Sequence, residues 1–333
     1  MTRDGEDTLR LLLRPIAPFL DQADVTEVVI QKPGEVGVET YDGWRWFMMP
    51  EMNFDRLSSI ALLAAGLSQQ DVGPSRPLCS TVLPNGQRLQ VCWPPAVAAG
   101  TVSLTIRRPP SFQPTLEMLT EGGLFDGAGM SHKRQGSDDE RLAGLYMAQN
   151  WAAFLPAAVR ARKTIILTGD TGSGKTTIAR SLAVEIPSYE RLVTIEDTAE
   201  MTGLPHRNIV NLFYSKGDQG IARTTPEDLI EAALRMRPDR IVMQEIRDGS
   251  AFPFLRSVAS GHPGSITTCH APDAEGAFDA LRLMVKQHPA GKHLLDVDLI
   301  ILLRRMVDIV VHCVKRSDGS RRVAEVYFAP CAT

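Results

Sequence analysis

The stretch GDTGSGKT, Gly169 to Thr176, fits the pattern G-x-x-x-x-G-K-[ST], with the apolar run TIILT before it and an apolar helical pattern after it. Glycines so placed let the backbone curl until its N–H groups face inward at the positive end of the following helix, where phosphate oxygens bind. Gly169, Asp170, Thr171, Gly172, Ser173, Gly174, Lys175, Thr176 and Thr177 are therefore the expected cradle for a nucleoside triphosphate. Lys175 should reach the β- and γ-phosphates, and Thr176 should ligate Mg²⁺.

Parallel sheets build sites at the carboxyl ends of their strands, so strand-ending acids come next. TIEDTAEM offers Glu196 and Asp197, and RIVMQEIRDG offers Glu245. In many P-loop ATPases a strand ends in Asp then Glu, the Asp holding Mg²⁺ and the Glu orienting the attacking water. Here Gln244 takes the Asp position. An amide is a poor partner for a hard cation, so Thr176, phosphates and waters are expected to hold Mg²⁺, with Glu196 or Asp197 acting through water. Glu245 is left to polarise the water, and Asp197 and Asp248 also suit the capping of the helices that follow them.

GHPGSITTCHA places His262 and His270 eight residues apart, with Cys269 beside the second. Neighbours on a strand alternate faces, so Cys269 and His270 point apart and cannot both serve one metal. A buried structural histidine and a phosphate contact both remain open for His270.

The elements that must carry these residues fall into two halves, and a chain of 333 residues is long enough for two cores. Val25 to Phe47 reads as a meander turning at Pro33-Gly34 and Asp42-Gly43, followed by a helix over Asp55 to Leu67, the strand-like stretch STVLPNGQRLQVCW around Asn85-Gly86, and the strand-like run TVSLTIRR. This predicts a smaller α+β domain over residues 1–122, built on an antiparallel sheet. Residues 123–140, which end in FDGAGMSHKRQGSDDE from Phe125 to Glu140, have little to bury and are expected to be a flexible linker. From 141 to 333 the rhythm is helix to about Arg162, strand 164–168, helix from Lys175, strand 191–196, helix 226–236, strand 240–244, helix 248–259, strand 265–269. Alternation of this kind predicts an α/β domain with a mostly parallel sheet covered on both faces.

Composition adds exclusions. Hydrophobic residues make up 44% and charged residues 23%, as in ordinary folded chains. Asp298, Arg304, Arg305 and Asp308 interrupt the most apolar run before it reaches the roughly 18–20 residues a membrane span needs. The acidic, proline-containing first segment is unlike a signal peptide, so a cytoplasmic location is expected. Five cysteines form no CxxC pair, and reduced thiols are expected. A formal net charge of −3 gives no global field for a polyanion, and the clusters VRARK and KRSDGSRR read as solvated surface.

With the cradle, the Glu-Asp segment, LRMRPDRIVMQEIRDG and GHPGSITTCHA in this order, the chain resembles the traffic ATPases of the type II and type IV secretion superfamily. TEVVIQKPGEV, LPNGQRLQVCWPP and TVSLTIRRPPS extend the likeness to the type IV branch across about nine-tenths of the chain. The resemblance implies a RecA-like P-loop ATPase domain behind the N-terminal domain, ATP as nucleotide, and a homohexameric ring gripping nucleotide in the interdomain cleft. By matching motifs, Arg88 and Arg107 are similar to N-terminal arginines that reach the phosphates, with Arg108 competing for the second place. Arg223, Arg235 and Arg237 fall where the family has its arginine box, and His270 where it has a phosphate-sensing histidine. Departures are Gln244, where the family usually has Gly, and Asp248-Gly249.

An arginine delivered to a γ-phosphate contributes roughly 10³–10⁵ in rate against roughly 10²–10⁴ for a general base, which favours hydrolysis gated by domain closure. The resemblance further implies membrane-embedded secretion partners, peripheral association with the inner membrane, and protein or nucleoprotein cargo. The alternatives are a type II secretion or type IV pilus motor, a nucleic-acid translocase, and a nucleotide-switched docking module. The acidic balance and the lack of a basic, aromatic stacking platform argue against direct gripping of nucleic acid.

Overall fold

The computed structural model describes residues 2–109, 115–128, 137–216 and 220–331. Helices α1 (Thr2–Leu13) and α2 (Ala17–Leu20) lead into β1 (Val25–Ile30), β2 (Glu35–Thr40) and β3 (Gly43–Met48). Gly34 and Gly43, with φ of 83° and 107°, make the expected turns. Helix α3 (Phe54–Leu67) starts where the Asn53 side chain accepts the Arg56 N–H at 2.9 Å. Its Leu57, Ile60, Ala61 and Ala64 are buried with Leu9, Leu13 and Ile16, so the apolar face of the first segment is spent inside this domain. Strands β4 (Leu78–Val82), β5 (Arg88–Cys92) and β6 (Ser103–Arg107) complete an antiparallel sheet in the order β3-β2-β1-β6-β5-β4.

Helix α4 (Leu116–Glu121) and turns to Ala128 follow, and residues 129–136 lie outside the described ones. Helix α5 (Ser137–Met147) begins inside the stretch read as linker. Asp138, Asp139 and Glu140 form its first turn, where carboxylates favour the positive helix end, and Lys163 binds Asp139 at 2.5 Å. A charge run that reads as solvated chain is thus a helix start.

The rest follows as α6 (Trp151–Arg160), β7 (Ile165–Gly169), α7 (Lys175–Val184), β8 (Leu192–Glu196), β9 (Ile209–Phe213), α8 (Pro226–Leu234), β10 (Arg240–Met243), α9 (Ala251–Ala259), β11 (Ile266–Thr268), α10 (Gly276–Gln287), α11 (Asp296–Met306), β12 (Ile309–Lys315) and β13 (Arg321–Phe328). The seven strands run β13-β12-β7-β11-β10-β8-β9, all parallel except β13. The mostly parallel α/β sheet behind a smaller α+β domain is the architecture the sequence predicts. Strand β9, helices α10 and α11 and the β12–β13 hairpin add to it.

The two halves meet at the amino ends of the parallel strands and along the edge strand β9 as far as its last residue, Phe213. Arg191, fully buried just before β8, donates to Met236 O at 2.8 Å and across the boundary to Thr105 Oγ1 at 3.2 Å. Arg207 binds Glu35 at 2.6 Å, Arg237 pairs with Glu39, and Gln31 with Asn208. Arg191, Arg207 and Arg237 also lie over the Trp44 or Trp46 rings. Phe213 N donates to Ala96 O at 2.9 Å, and Cys92, Ala96 and Val97 share a core with Met236 and Val193. Among the described residues no helix is long and apolar enough to cross a membrane.

Candidate nucleotide site

At the carboxyl end of β7 the chain turns through Gly169, at φ 137°, into a loop closed by Gly174, at φ 94°. Gly169 also admits no side chain, since a Cβ there would stand 2.0 Å from the Cys313 carbonyl oxygen of β12. Gly174 caps α7 without a side chain, which leaves the first-turn N–H groups to an incoming anion. Lys175 folds over the loop, its Nζ donating to Gly169 O at 2.6 Å and Asp170 O at 2.9 Å. Burial lowers its pKa, and nearby Glu245 opposes that. Ser173 is buried beneath, its hydroxyl without a hydrogen-bond partner among the described residues.

A cavity of about 300 Å³ opens over this loop, lined by Thr171, Gly172, Gly174, Lys175, Thr176, Thr177, Glu245, Arg247, His270 and Arg321. Free helix-end donors, an ammonium and two guanidinium groups fit a polyphosphate, and the Thr176 hydroxyl fits a cation carried with it. Glu245, just past β10, accepts from Arg247 Nη2 at 2.5 Å. His270 Nε2 lies 3.1 Å from Glu245 Oε1, close enough to pair charge but not aligned as a hydrogen bond. Arg247 also reaches Asp197 at 3.4 Å, and its bond to Glu245 pushes its pKa up.

Glu196 does not join this cavity. It is fully buried, and it accepts from the N–H groups of Glu200 and Met201 at 2.7 Å each, from Thr194 Oγ1 at 2.6 Å and from Asn211 at 3.2 Å. A carboxylate so occupied holds the 197–201 turn and has no oxygen to spare, which corrects the expectation that it serves Mg²⁺. Gln244 is explained in the same way: its Oε1 accepts from the N–H groups of Asp197 and Thr198 at 2.9 and 3.3 Å, so its amide clamps this turn. Asp197 pairs with Lys216 and Arg247.

The arginines separate. Arg88 and Arg107 stand opposite each other on β5 and β6, and with Arg235 they line another cavity, of about 460 Å³. Arg235 follows α8 and precedes β10, so this second cavity lies toward the amino ends of the parallel strands, and it shares no lining residue with the cradle. Arg223 lines a third cavity that adjoins the cradle through Glu245 and Arg247. Arg237 is committed to Asp239 and Glu39, and Arg108 to the Gln22 carbonyl. His262 turns its Nδ1 to Ser257 O at 3.2 Å, behind the site. Cys269, fully buried, has its thiol pushed up to about 12 by burial.

Sequence reasoning missed Arg247 and Arg321. The spacing of Arg247 from Glu245 was a usable signal. Arg321 had none, because KRSDGSRR reads as solvated surface and only the antiparallel return of β13 brings it over the loop.

A parallel sheet with a glycine loop, lysine and threonine at the end of β7 defines a P-loop nucleotide-hydrolysing domain. Residues 139–332 match the family described as Type II/IV secretion system protein, and the chain belongs to that family as one of its ATPases. It is 42% identical over 329 residues to the type IV secretion system protein VirB11 of Bartonella quintana, covering 96% of this chain and 92% of that protein. It is 45% identical over 308 residues to the VirB11 protein of Agrobacterium fabrum, covering 91% and 88%. The crystal structure of the Brucella suis VirB11 ATPase in complex with sulphate superposes with a TM-score of 0.93 at 38% identity, covering 98% of this chain and 96% of that one.

Proposed function

We propose that this protein is the ATP-driven motor of a type IV secretion or conjugation apparatus, working as a homohexamer beneath membrane-embedded partners at the inner membrane. The observation that carries this reading is the cradle of Lys175 and Thr176 facing the Glu245–His270 pair, in a chain that aligns with VirB11 proteins almost end to end. Lys175 neutralises phosphate charge. Glu245 takes hydrogen bonds from the attacking water, and His270, against Glu245, responds to loss of the terminal phosphate. Thr176 would hold Mg²⁺, whose chemistry is to neutralise charge on the β- and γ-oxygens.

The placement of the arginines supports the ring. Arg88 and Arg107 of the first domain and Arg235 of the second line a cavity that shares no residue with the cradle of their own chain, and a neighbouring copy in a ring would present them to it. ATP binding then draws neighbours together, hydrolysis releases them, and the cycle does work on protein or nucleoprotein cargo.

Two variants test the site. Lys175→Ala should lose nucleotide affinity. Glu245→Gln should bind ATP as the parent does while turnover falls by roughly 10²–10⁴. Full turnover in Glu245→Gln would remove Glu245 from the mechanism, and tight ATP binding by Lys175→Ala would remove the cradle.

A further inference from the structure

Strand β12 runs parallel to β7 with Cys313 level with Gly169, so it continues two residues beyond the point where β7 becomes the phosphate loop. That is an overhang of about 7 Å. The turn 316–320 lies past it, and β13 returns with Arg321 paired to Lys315, at the height of the cradle rather than of the sheet. Asp318, the acid of this turn, is spent on the Ser320 N–H at 2.8 Å.

Arg321 Nε donates to Gly172 O at 3.2 Å, and its Cδ lies 3.0 Å from where a Cβ of residue 174 would stand. Its stem therefore crosses the loop, and its guanidinium lines the same cavity as Lys175 and Thr176. Among the described residues no carboxylate pairs with it, unlike Arg247, which is bound to Glu245 and Asp197. A guanidinium on a neutral carbonyl, with further N–H groups to offer, gains a stronger partner when a phosphate arrives.

The flank it occupies decides which phosphate. Glu245 and His270 come from the chain after β10 and β11, on one side of β7, and β12 and β13 lie on the other. The groups that act on the terminal phosphate and Arg321 thus face each other across the cradle.

We propose that Arg321 is a phosphate-binding residue of this site, holding from the β12–β13 flank the part of the triphosphate that is retained in ADP. The proposal rests on the reading of the cradle as the ATP site. Because its partner is present before and after hydrolysis, Arg321 sets affinity more than rate.

Calorimetric titration of the full chain with ADP, and with ATP in a Glu245→Gln background, tests this, alongside KM and kcat. Arg321→Ala is expected to weaken both nucleotides by a similar factor, roughly ten- to a hundred-fold, and to raise KM far more than it lowers kcat. Arg321→Lys should recover part of the loss, which a purely packing role would not allow, and Arg322→Ala, on the same hairpin, should bind as the parent does. Parent-like ADP binding by Arg321→Ala would overturn the proposal, as would a loss confined to ATP or equal losses in Arg321→Ala and Arg321→Lys. Should Arg321→Ala not fold, Arg321→Gln carries the same comparison. Failure of the parent itself to bind ADP would overturn the cradle reading as well, so the two failures are distinguishable.

Discussion

Glu27 gives the most direct handle on how the two domains are held. It sits on β1, 3% exposed, opposite Glu39 of β2 and Arg107 of β6. Its Oε1 is 3.6 Å from Arg107 Nε, and its Oε2 has no hydrogen-bond partner among the described residues. Arg191 and Arg237 of the ATPase domain face the same cluster, with Asp239 beside Arg237. Burial, opposed first by Arg107, raises the Glu27 pKa from 4.5 to about 7. A raised folded pKa means that the protonated form is favoured by folding. Its stabilising effect is complete below the unfolded value near 4.5, and is lost as pH rises through about 7. At about 1.4 kcal/mol per pH unit, the charged group costs the fold about 3 kcal/mol at pH 8 and about 1 kcal/mol at pH 5. Glu27→Gln removes the titration and keeps the shape, so it should stabilise the protein by those amounts at those pH values. Urea unfolding followed by tryptophan fluorescence at pH 5, 6, 7 and 8 measures the difference. An increment that is the same at every pH, or a variant less stable than the parent at pH 8, would refute the reasoning.

Two further outcomes follow from the geometry. A mixture of an Arg88→Ala, Arg107→Ala double variant with Lys175→Ala should regain ATP turnover that neither has alone, because each supplies what the other lacks; no recovery in a mixed ring would confine the arginines to their own chain. Gly169→Ala, whose Cβ meets the Cys313 carbonyl, should lower stability by several kcal/mol, against about 1 kcal/mol for Gly172→Ala, where only φ is unfavourable; thermal unfolding compares them, and equal losses would contradict the close packing of β12 on the loop.

The cradle was legible because its chemistry is local: glycines, lysine and threonine act within one turn, and their spacing is the site. The alternation of strands and helices was legible because burial on both faces demands continuous apolar strands. Strand β9, whose IVNLF alternates only partly, and the antiparallel β13, which is mostly exposed, carry a weaker pattern. Arg321 lies 145 residues beyond Thr176 and Arg88 lies 81 residues before Gly169, and nothing in spacing tells a reader that one reaches the cradle and the other the opposite end of the sheet.

Glu196 and Glu245 show where type and position alone stop being informative. Both are glutamates at the carboxyl end of adjacent parallel strands, and both have the pattern of an active-site acid. What separates them is the number of donors already aimed at each. Glu196 meets two backbone N–H groups, a hydroxyl and an amide, so its charge is satisfied by a turn that Gln244 clamps from the next strand. Glu245 meets Arg247 and a poorly aligned His270, and opens on the cavity. The amide at 244 is occupied in the same way, accepting from the Asp197 and Thr198 N–H groups, whereas Glu245 keeps one oxygen without a hydrogen-bond partner among the described residues, which is why the proposed role falls to it.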